Sequence, residues 1–137
     1  MADTLRYIRA DPTPVPAGTL ARQDDPRLAS RLVALDGNPN PEIVRGIVLG
    51  VADDRGVGLN GGRMGAAEGP ARFREFLARL PAPTGWPVGA VLNAGDLMPA
   101  EHTAETHARL AEVVVVLRGR FPQARLVVVG EIGRAHV

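Results

Sequence analysis

Residues 46–70 read GIVLGVADDRGVGLNGGRMGAAEGP, and the interpretation of the whole chain depends on this stretch. It begins with a nearly continuous apolar run at positions 47–51, which predicts a strand covered on both faces within a parallel sheet. A glycine-rich loop follows, and its glycines can adopt positive φ or allow close backbone approach. Pro70 stands where the first turn of a helix would begin. The stretch therefore predicts a strand, a loop and a helix in that order.

Four elements are predicted from position 70 onward. They are a helix over 70–80, a strand over 88–92, a helix over 104–120 and a strand over 126–129. This alternation predicts an α/β fold with a mainly parallel sheet and right-handed crossovers. Ligands of such sheets bind beyond the carboxyl ends of the strands. The glycine-rich loop, Asp96 and Gly130 are all expected at that edge.

The helix predicted over 104–120 contains four consecutive valines at positions 113–116, which favour a strand by propensity. The length of the segment and its flanking helix formers favour a helix instead, with Thr103 as its cap. The Glu105 and Arg109 pair supports the helix at i,i+4 spacing. We expect the four valines to belong to the core.

The first 41 residues are rich in proline, aspartate and arginine and are interpreted as an irregular N-terminal arm. One short helix is predicted at 25–35, where Leu28, Leu32 and Leu35 share a face. A turn cluster at 36–41 ends it. We therefore divide the chain into an arm at 1–41, a domain portion at 42–130 and a tail at 131–137.

The composition excludes several classes of protein. The chain has 137 residues, 45% of them hydrophobic and 23% charged, which is typical of a globular protein. A net charge of +1 gives no reason to expect nucleic acid as a partner. With no cysteine, disulfides and thiolate metal sites are excluded. No apolar run suits a signal peptide or a membrane span, so the cytoplasm is the expected location.

The run from Gly56 to Gly61 matches the G-x-G-x-x-G spacing of dinucleotide-binding loops. Three features argue against that interpretation. Asp53 and Asp54 stand between the strand and the first glycine, where two carboxylates would repel a pyrophosphate. The helix also begins only near Pro70, too late for its N-terminus to meet the phosphates. Glycine spacing alone is weak evidence in a chain with sixteen glycines.

A longer pattern in the same stretch resembles the arginase, agmatinase and formiminoglutamase family, the ureohydrolases. The matching segments are Asp54-Arg55-Gly56-Val57, Asn60-Gly61-Gly62-Arg63, Gly65-Ala66-Ala67-Glu68-Gly69-Pro70 and Arg74. The family's next strand ends in Asp-x-Gly-Asp, whereas this chain has Asn93-Ala94-Gly95-Asp96. The Asn-Gly-Gly-Arg form looks most like formiminoglutamase, an enzyme of histidine breakdown. The resemblance implies the N-terminal part of a three-layer arginase-like α/β fold.

The resemblance also implies a hydrolase of linear amidines. Two Mn²⁺ ions would activate a bridging hydroxide that attacks the amidine carbon of a small-molecule substrate. N-formimino-L-glutamate would then give L-glutamate and formamide, with agmatinase or arginase chemistry as the alternative. A non-catalytic truncated α/β binding module is a further alternative. The family often forms multimers, so a homo-oligomer is possible for the full-length protein.

The family's metal ligands are expected after Gly130, in segments that this chain does not contain. Residues 131–137 read EIGRAHV and do not continue the family pattern. One set of codons for them resembles a sequencing-library adapter, so we interpret the tail as non-native. His136 lies in it and is rejected as a ligand. The chain is thus expected to be an inactive fragment with no metal ligand and no catalytic residue of its own.

The resemblance suggests which residues serve the substrate side of the site. Arg63 would hold the substrate's carboxylate or would only pin the loop backbone. Asn60 would contact substrate or cap a turn. The remaining candidates are expected to shape the loop and its surroundings: Asp54, Gly56, Gly62, Gly65, Gly69, Pro70, Arg74 and Asp96.

Overall fold

The structure is a computed structural model that describes residues 2–11, 25–53 and 68–130. Its strands are β1 (Ile8–Arg9), β2 (Leu32–Ala34), β3 (Gly46–Val51), β4 (Val91–Leu97) and β5 (Arg125–Gly130). Its α-helices are α1 (Gly69–Arg79) and α2 (Thr103–Arg120), and short 3-10 helices cover Ala2–Tyr7, Leu28–Arg31 and Leu35–Gly37.

The five strands form one sheet, in which four follow the order β1-β4-β3-β5 and β2 pairs with β4 off this path. Strands β3, β4 and β5 are mutually parallel, as the alternation of strands and helices predicts. Strand β2 runs parallel to the first half of β4, and β1 runs antiparallel to its end. The predicted α/β class with a mainly parallel sheet is confirmed.

The two helices cover opposite faces of the sheet, which makes three layers. Side chains alternate between the faces of a strand. Ile47 and Leu49 therefore pack with the α2 residues Val113 and Leu117. Val48 points the other way and packs in the cluster that contains residues of α1.

The N-terminal segments differ from the prediction. The helix predicted over 25–35 is wrong, because only Leu28–Arg31 is helical and it is a 3-10 turn. Leu32–Ala34 is a strand instead, since pairing with β4 satisfies its backbone groups. The segment interpreted as an irregular arm thus contributes β1 and β2. Residues on both sides of the predicted boundary at position 41 share one sheet.

Strand β4 is also longer and later than predicted. It was expected to end at Leu92 but continues through Asn93, Ala94, Gly95 and Asp96 to Leu97. The pairing with β3 shifts at this point, because Val48 lies opposite Asn93 whereas Leu49 lies opposite Gly95. Ala94 is therefore an extra residue, a β-bulge.

The bulge reverses the facing of the residues that follow it. Leu92 and Ala94 are two positions apart and both pack in the core on the α2 side. Without the bulge, Asp96 would face that apolar core as well. With it, Leu97 takes that place and Asp96 turns toward α1.

The long helix forms as predicted in spite of its valines, and it begins at Thr103. The residue at its N-cap position is His102 rather than the expected Thr103. The valine prediction is only partly correct. Val113 and Val116 are buried, but Val115 is 66% exposed.

Candidate functional site

The carboxyl ends of β3, β4 and β5 form the edge where the sequence places the site. The segment that links β3 to α1 leaves this edge through Ala52 and the buried Asp53. Gly130, at the end of β5, has a φ of 135°, and a Cβ there would lie 2.2 Å from the carbonyl oxygen of Val51. Only glycine therefore allows the two strand ends to meet this closely.

The predicted site residues fall into two groups. Asp54, Gly56, Asn60, Gly62, Arg63 and Gly65 lie outside the described residues. Gly69, Pro70, Arg74 and Asp96 lie within them and come together. Gly69 and Pro70 open α1, Arg74 follows one turn later, and Asp96 faces them from β4.

Arg74 and Asp96 form the centre of this group. The Arg74 Nη1 atom lies 2.7 Å from Asp96 Oδ1, and the two side chains are only 5% and 9% exposed. These two atoms are close but not aligned as a hydrogen bond. Arg74 also donates through Nη2 to the backbone carbonyl of Gly95, at 2.6 Å. One guanidinium thus ties α1 to both the backbone and a side chain of the β4 bulge.

Gly50, which was not among the predicted site residues, makes room for this contact. A Cβ at position 50 would lie 2.1 Å from Asp96 Oδ1, 2.7 Å from Pro70 Cβ and 2.9 Å from Arg74 Nη2. A side chain on β3 would therefore displace the ion pair or the first turn of α1. The available signal was a glycine inside an otherwise apolar strand, which often marks a close approach.

Two further polar residues, Asp11 and Asn93, join the group, and no sequence pattern predicts the first of them. Asp11 Oδ1 lies 3.5 Å from Arg74 Nη1, and the Asp11 side chain is 8% exposed. Asn93 Nδ2 donates to Asp11 Oδ2 at 2.8 Å. Asn93 Oδ1 accepts from the Gly95 backbone N–H at 3.2 Å. Asn93 is the position at which this sequence departs from the family's aspartate.

The electrostatics of this buried group favour an architectural role. Two carboxylates face one guanidinium, and removing one member of such a pair leaves an uncompensated buried charge. The described residues contain no group of three His, Asp or Glu side chains that could hold a metal ion. The described part of the site therefore does not fit Mn²⁺, and we assign no chemical step to it.

A cavity of about 420 Å³ lies on the other side of Asp11 and Asn93. Its walls are mostly apolar and include Leu5, Ile8 and Leu35. Of the predicted site residues that the structure describes, none lines it, whereas Asp11 and Asn93 of the polar group do. Within the described ranges, no helix is long and apolar enough to cross a membrane.

Comparison with known proteins agrees with this architecture. No family model matches the chain. A formimidoylglutamase from Aromatoleum aromaticum is 49% identical over 65 residues, which cover 47% of this chain and 19% of that protein. One from Streptococcus gordonii is 36% identical over 88 residues, 59% of this chain and 26% of that protein. The chain therefore spans about a quarter or less of these relatives.

The solved structures that it matches come from Trypanosoma cruzi. An arginase superfamily protein superposes with a TM-score of 0.60 at 33% identity, covering 80% of this chain and 36% of that one. Formiminoglutamase with Mn²⁺ superposes with a TM-score of 0.58 at 33% identity, covering 80% and 38%. On sequence and structure together, the chain is similar to part of a formimidoylglutamase and to part of an arginase superfamily structure.

Proposed function

We propose that this chain is part of a manganese-dependent hydrolase of N-formimino-L-glutamate. Water would cleave the bond between the formimino carbon and the glutamate nitrogen, releasing formamide and L-glutamate. The observation that carries the proposal is the agreement of sequence relatives and solved structures on formimidoylglutamase. The sequence relatives named above are formimidoylglutamases, so arginase or agmatinase activity is the less supported alternative.

The described residues support a substrate-side role for the segment between β3 and α1. Its two ends are fixed side by side, because Gly50 on β3 packs against Pro70 and Arg74 of α1. Ion pairing of Arg74 with Asp96 holds the second end to β4. The described residues on either side of the segment that carries Asn60 and Arg63 therefore lie at the edge where ligands of parallel sheets bind.

Arg63 is the proposed contact for the glutamate part of the substrate. A guanidinium can hold a carboxylate through two parallel hydrogen bonds, which a lysine cannot reproduce. Asn60 would contact the substrate beside it or shape the turn. The residues that bind manganese would lie outside the described part of the chain, as would those that carry out the hydrolysis. A cytoplasmic location and a homo-oligomeric state remain predictions.

An Arg63→Lys variant of the full-length, manganese-loaded protein tests the role of this loop. Losing a bidentate contact of about 1.5–3 kcal/mol should raise KM for N-formimino-L-glutamate by about 10-fold or more. Arg72→Lys is the matched control, because Arg72 is an exposed residue of α1 that pairs only loosely with Glu75, at 3.5 Å. An unchanged KM in Arg63→Lys would refute the carboxylate contact. Urea release from a guanidino substrate without formamide release would refute the proposed reaction.

A further inference from the structure

Asp11 connects the N-terminal segment to the site edge, although it is far from that edge in sequence. Its Oδ2 atom accepts a hydrogen bond from Asn93 Nδ2 at 2.8 Å. Its Oδ1 atom lies 3.5 Å from Arg74 Nη1. The Asp11 side chain is almost fully buried, so these contacts are formed away from solvent screening.

The backbone leading to Asp11 is itself held against β4. Arg9 lies opposite Asp96 in the antiparallel pairing of β1 with β4. Tyr7 accepts a hydrogen bond from the Met98 backbone N–H at 2.7 Å. Gly95 has a φ of 85°, and a Cβ there would lie 2.3 Å from the Arg9 carbonyl oxygen. Strand β1, which packs closely on the bulge, therefore holds the Asp11 carboxylate beside Asn93.

Asn93 matches Asp11 for a chemical reason. Its amide donates to a carboxylate at one end and accepts the Gly95 backbone N–H at the other. An ionised aspartate at position 93 accepts only, so it could replace the second contact but not the first. It would also place another carboxylate beside Asp11 in a buried site. The residue at 93 and the residue at 11 are therefore chemically complementary.

We propose that Asp11 is a positioning residue for the hydrolase, acting through Asn93 and Arg74. Asn93 and Asp11 together join β1 to the β4 bulge, and Arg74 passes that constraint to α1. The start of α1 fixes one end of the segment that carries Arg63. Asp11 would thereby set where α1 begins at the site edge. The inference rests on the proposed function.

Three variants of the full-length protein test the proposal: Asn93→Asp, Asp11→Asn and the double exchange. In the double variant the amide at position 11 can donate to the carboxylate at position 93, which reverses the direction of the original hydrogen bond. Asn93→Asp should lower Tm and raise KM for N-formimino-L-glutamate by about threefold or more with kcat little changed. Adding Asp11→Asn should recover more than half of both losses. Asp36→Asn, the same exchange at an exposed position, should leave Tm and KM unchanged.

The two measurements, Tm and KM, show which part of the proposal is wrong if the expected results are not obtained. If the double variant is no more stable than Asn93→Asp, the complementarity of positions 11 and 93 is wrong. If Tm changes and recovers while KM stays constant in every variant, Asp11 is only structural and the positioning role is refuted. If the unmodified protein releases no formamide, the proposed function fails, and the positioning role fails with it. The recovery of Tm would still show whether the pairing exists.

Discussion

Asp96 on β4 and Arg74 on α1 form a buried ion pair, with Oδ1 and Nη1 2.7 Å apart. The pair exists because the bulge at Ala94 turns Asp96 out of the apolar core and toward α1. It exists also because Gly50 leaves the space in which the two side chains meet. Three separate segments of the chain therefore cooperate to fix one contact at the site edge.

Removing one member of this pair should lower the stability of the protein strongly. Arg74→Ala leaves Asp96 and Asp11 without their shared counter-charge, so we expect the free energy of unfolding to fall by about 3–5 kcal/mol. The control is Arg72→Ala on the same helix, where an exposed pair should contribute less than about 1 kcal/mol. Urea denaturation of the full-length variants measures both. Equal losses in the two variants would contradict the structural importance of the buried pair.

Gly50→Ala should destabilise the protein, because the added methyl group has no space. Its Cβ would lie 2.1 Å from Asp96 Oδ1 and 2.7 Å from Pro70 Cβ, so α1 or β4 must shift. Forced overpacking of this kind typically costs about 1–3 kcal/mol. Gly119→Ala is the control, because nothing lies within 4 Å of a Cβ in that exposed turn of α2. It should be neutral or stabilising by up to about 1 kcal/mol in the same unfolding measurement.

Gly89 and Gly95 have nearly equal φ, so alanine substitutions at the two positions distinguish the effect of backbone strain from that of steric collision. Gly89 has a φ of 89° and only Ile43 Cγ2 near a Cβ, at 3.8 Å, so Gly89→Ala should cost about 1–2 kcal/mol through strain alone. Gly95→Ala adds a collision with the Arg9 backbone and should cost clearly more, with loss of the β1 pairing. Hydrogen exchange at Met98, whose N–H bonds to Tyr7, reports on that pairing. Faster exchange in Gly89→Ala than in Gly95→Ala would contradict this assignment.

The start of α2 offers a test between a sequence prediction and the structure. The fully buried Thr106 accepts the Ala100 backbone N–H at 2.9 Å through Oγ1, whereas Thr103 was the predicted cap. Thr106→Val removes the acceptor of a buried N–H and should cost about 1–3 kcal/mol. Thr103→Val should cost less than half as much. A larger loss of stability in Thr103→Val would restore the original prediction.

The sequence predicted correctly those elements that are marked by local signals, such as apolar runs and helix boundaries. The strand before the glycine-rich loop, the helix opened by Pro70 and the parallel order all follow from patterns within a few residues of one another. The helix predicted over 25–35 failed because leucines at helical spacing also fit a short strand. Pairing with β4, nearly sixty residues away, decided between the two.

The details of the site edge depend on features with no local signal. Asn93, Gly95 and Asp96 are poor strand formers, so the sequence placed the end of β4 before the bulge. Asp11 has no recognisable motif, and its partner Asn93 is 82 positions away. Arg74 could be nominated only through the family resemblance, whereas Asp96 was also indicated by its place after a predicted strand. Their contact is a result of the fold.

Formamide release measures the central claim most directly. The full-length protein, purified and loaded with Mn²⁺, should convert N-formimino-L-glutamate to formamide and L-glutamate in equal amounts. Under the same conditions it should release little or no urea from agmatine or L-arginine. Urea release from either guanidino compound at a higher rate than formamide release would contradict the account.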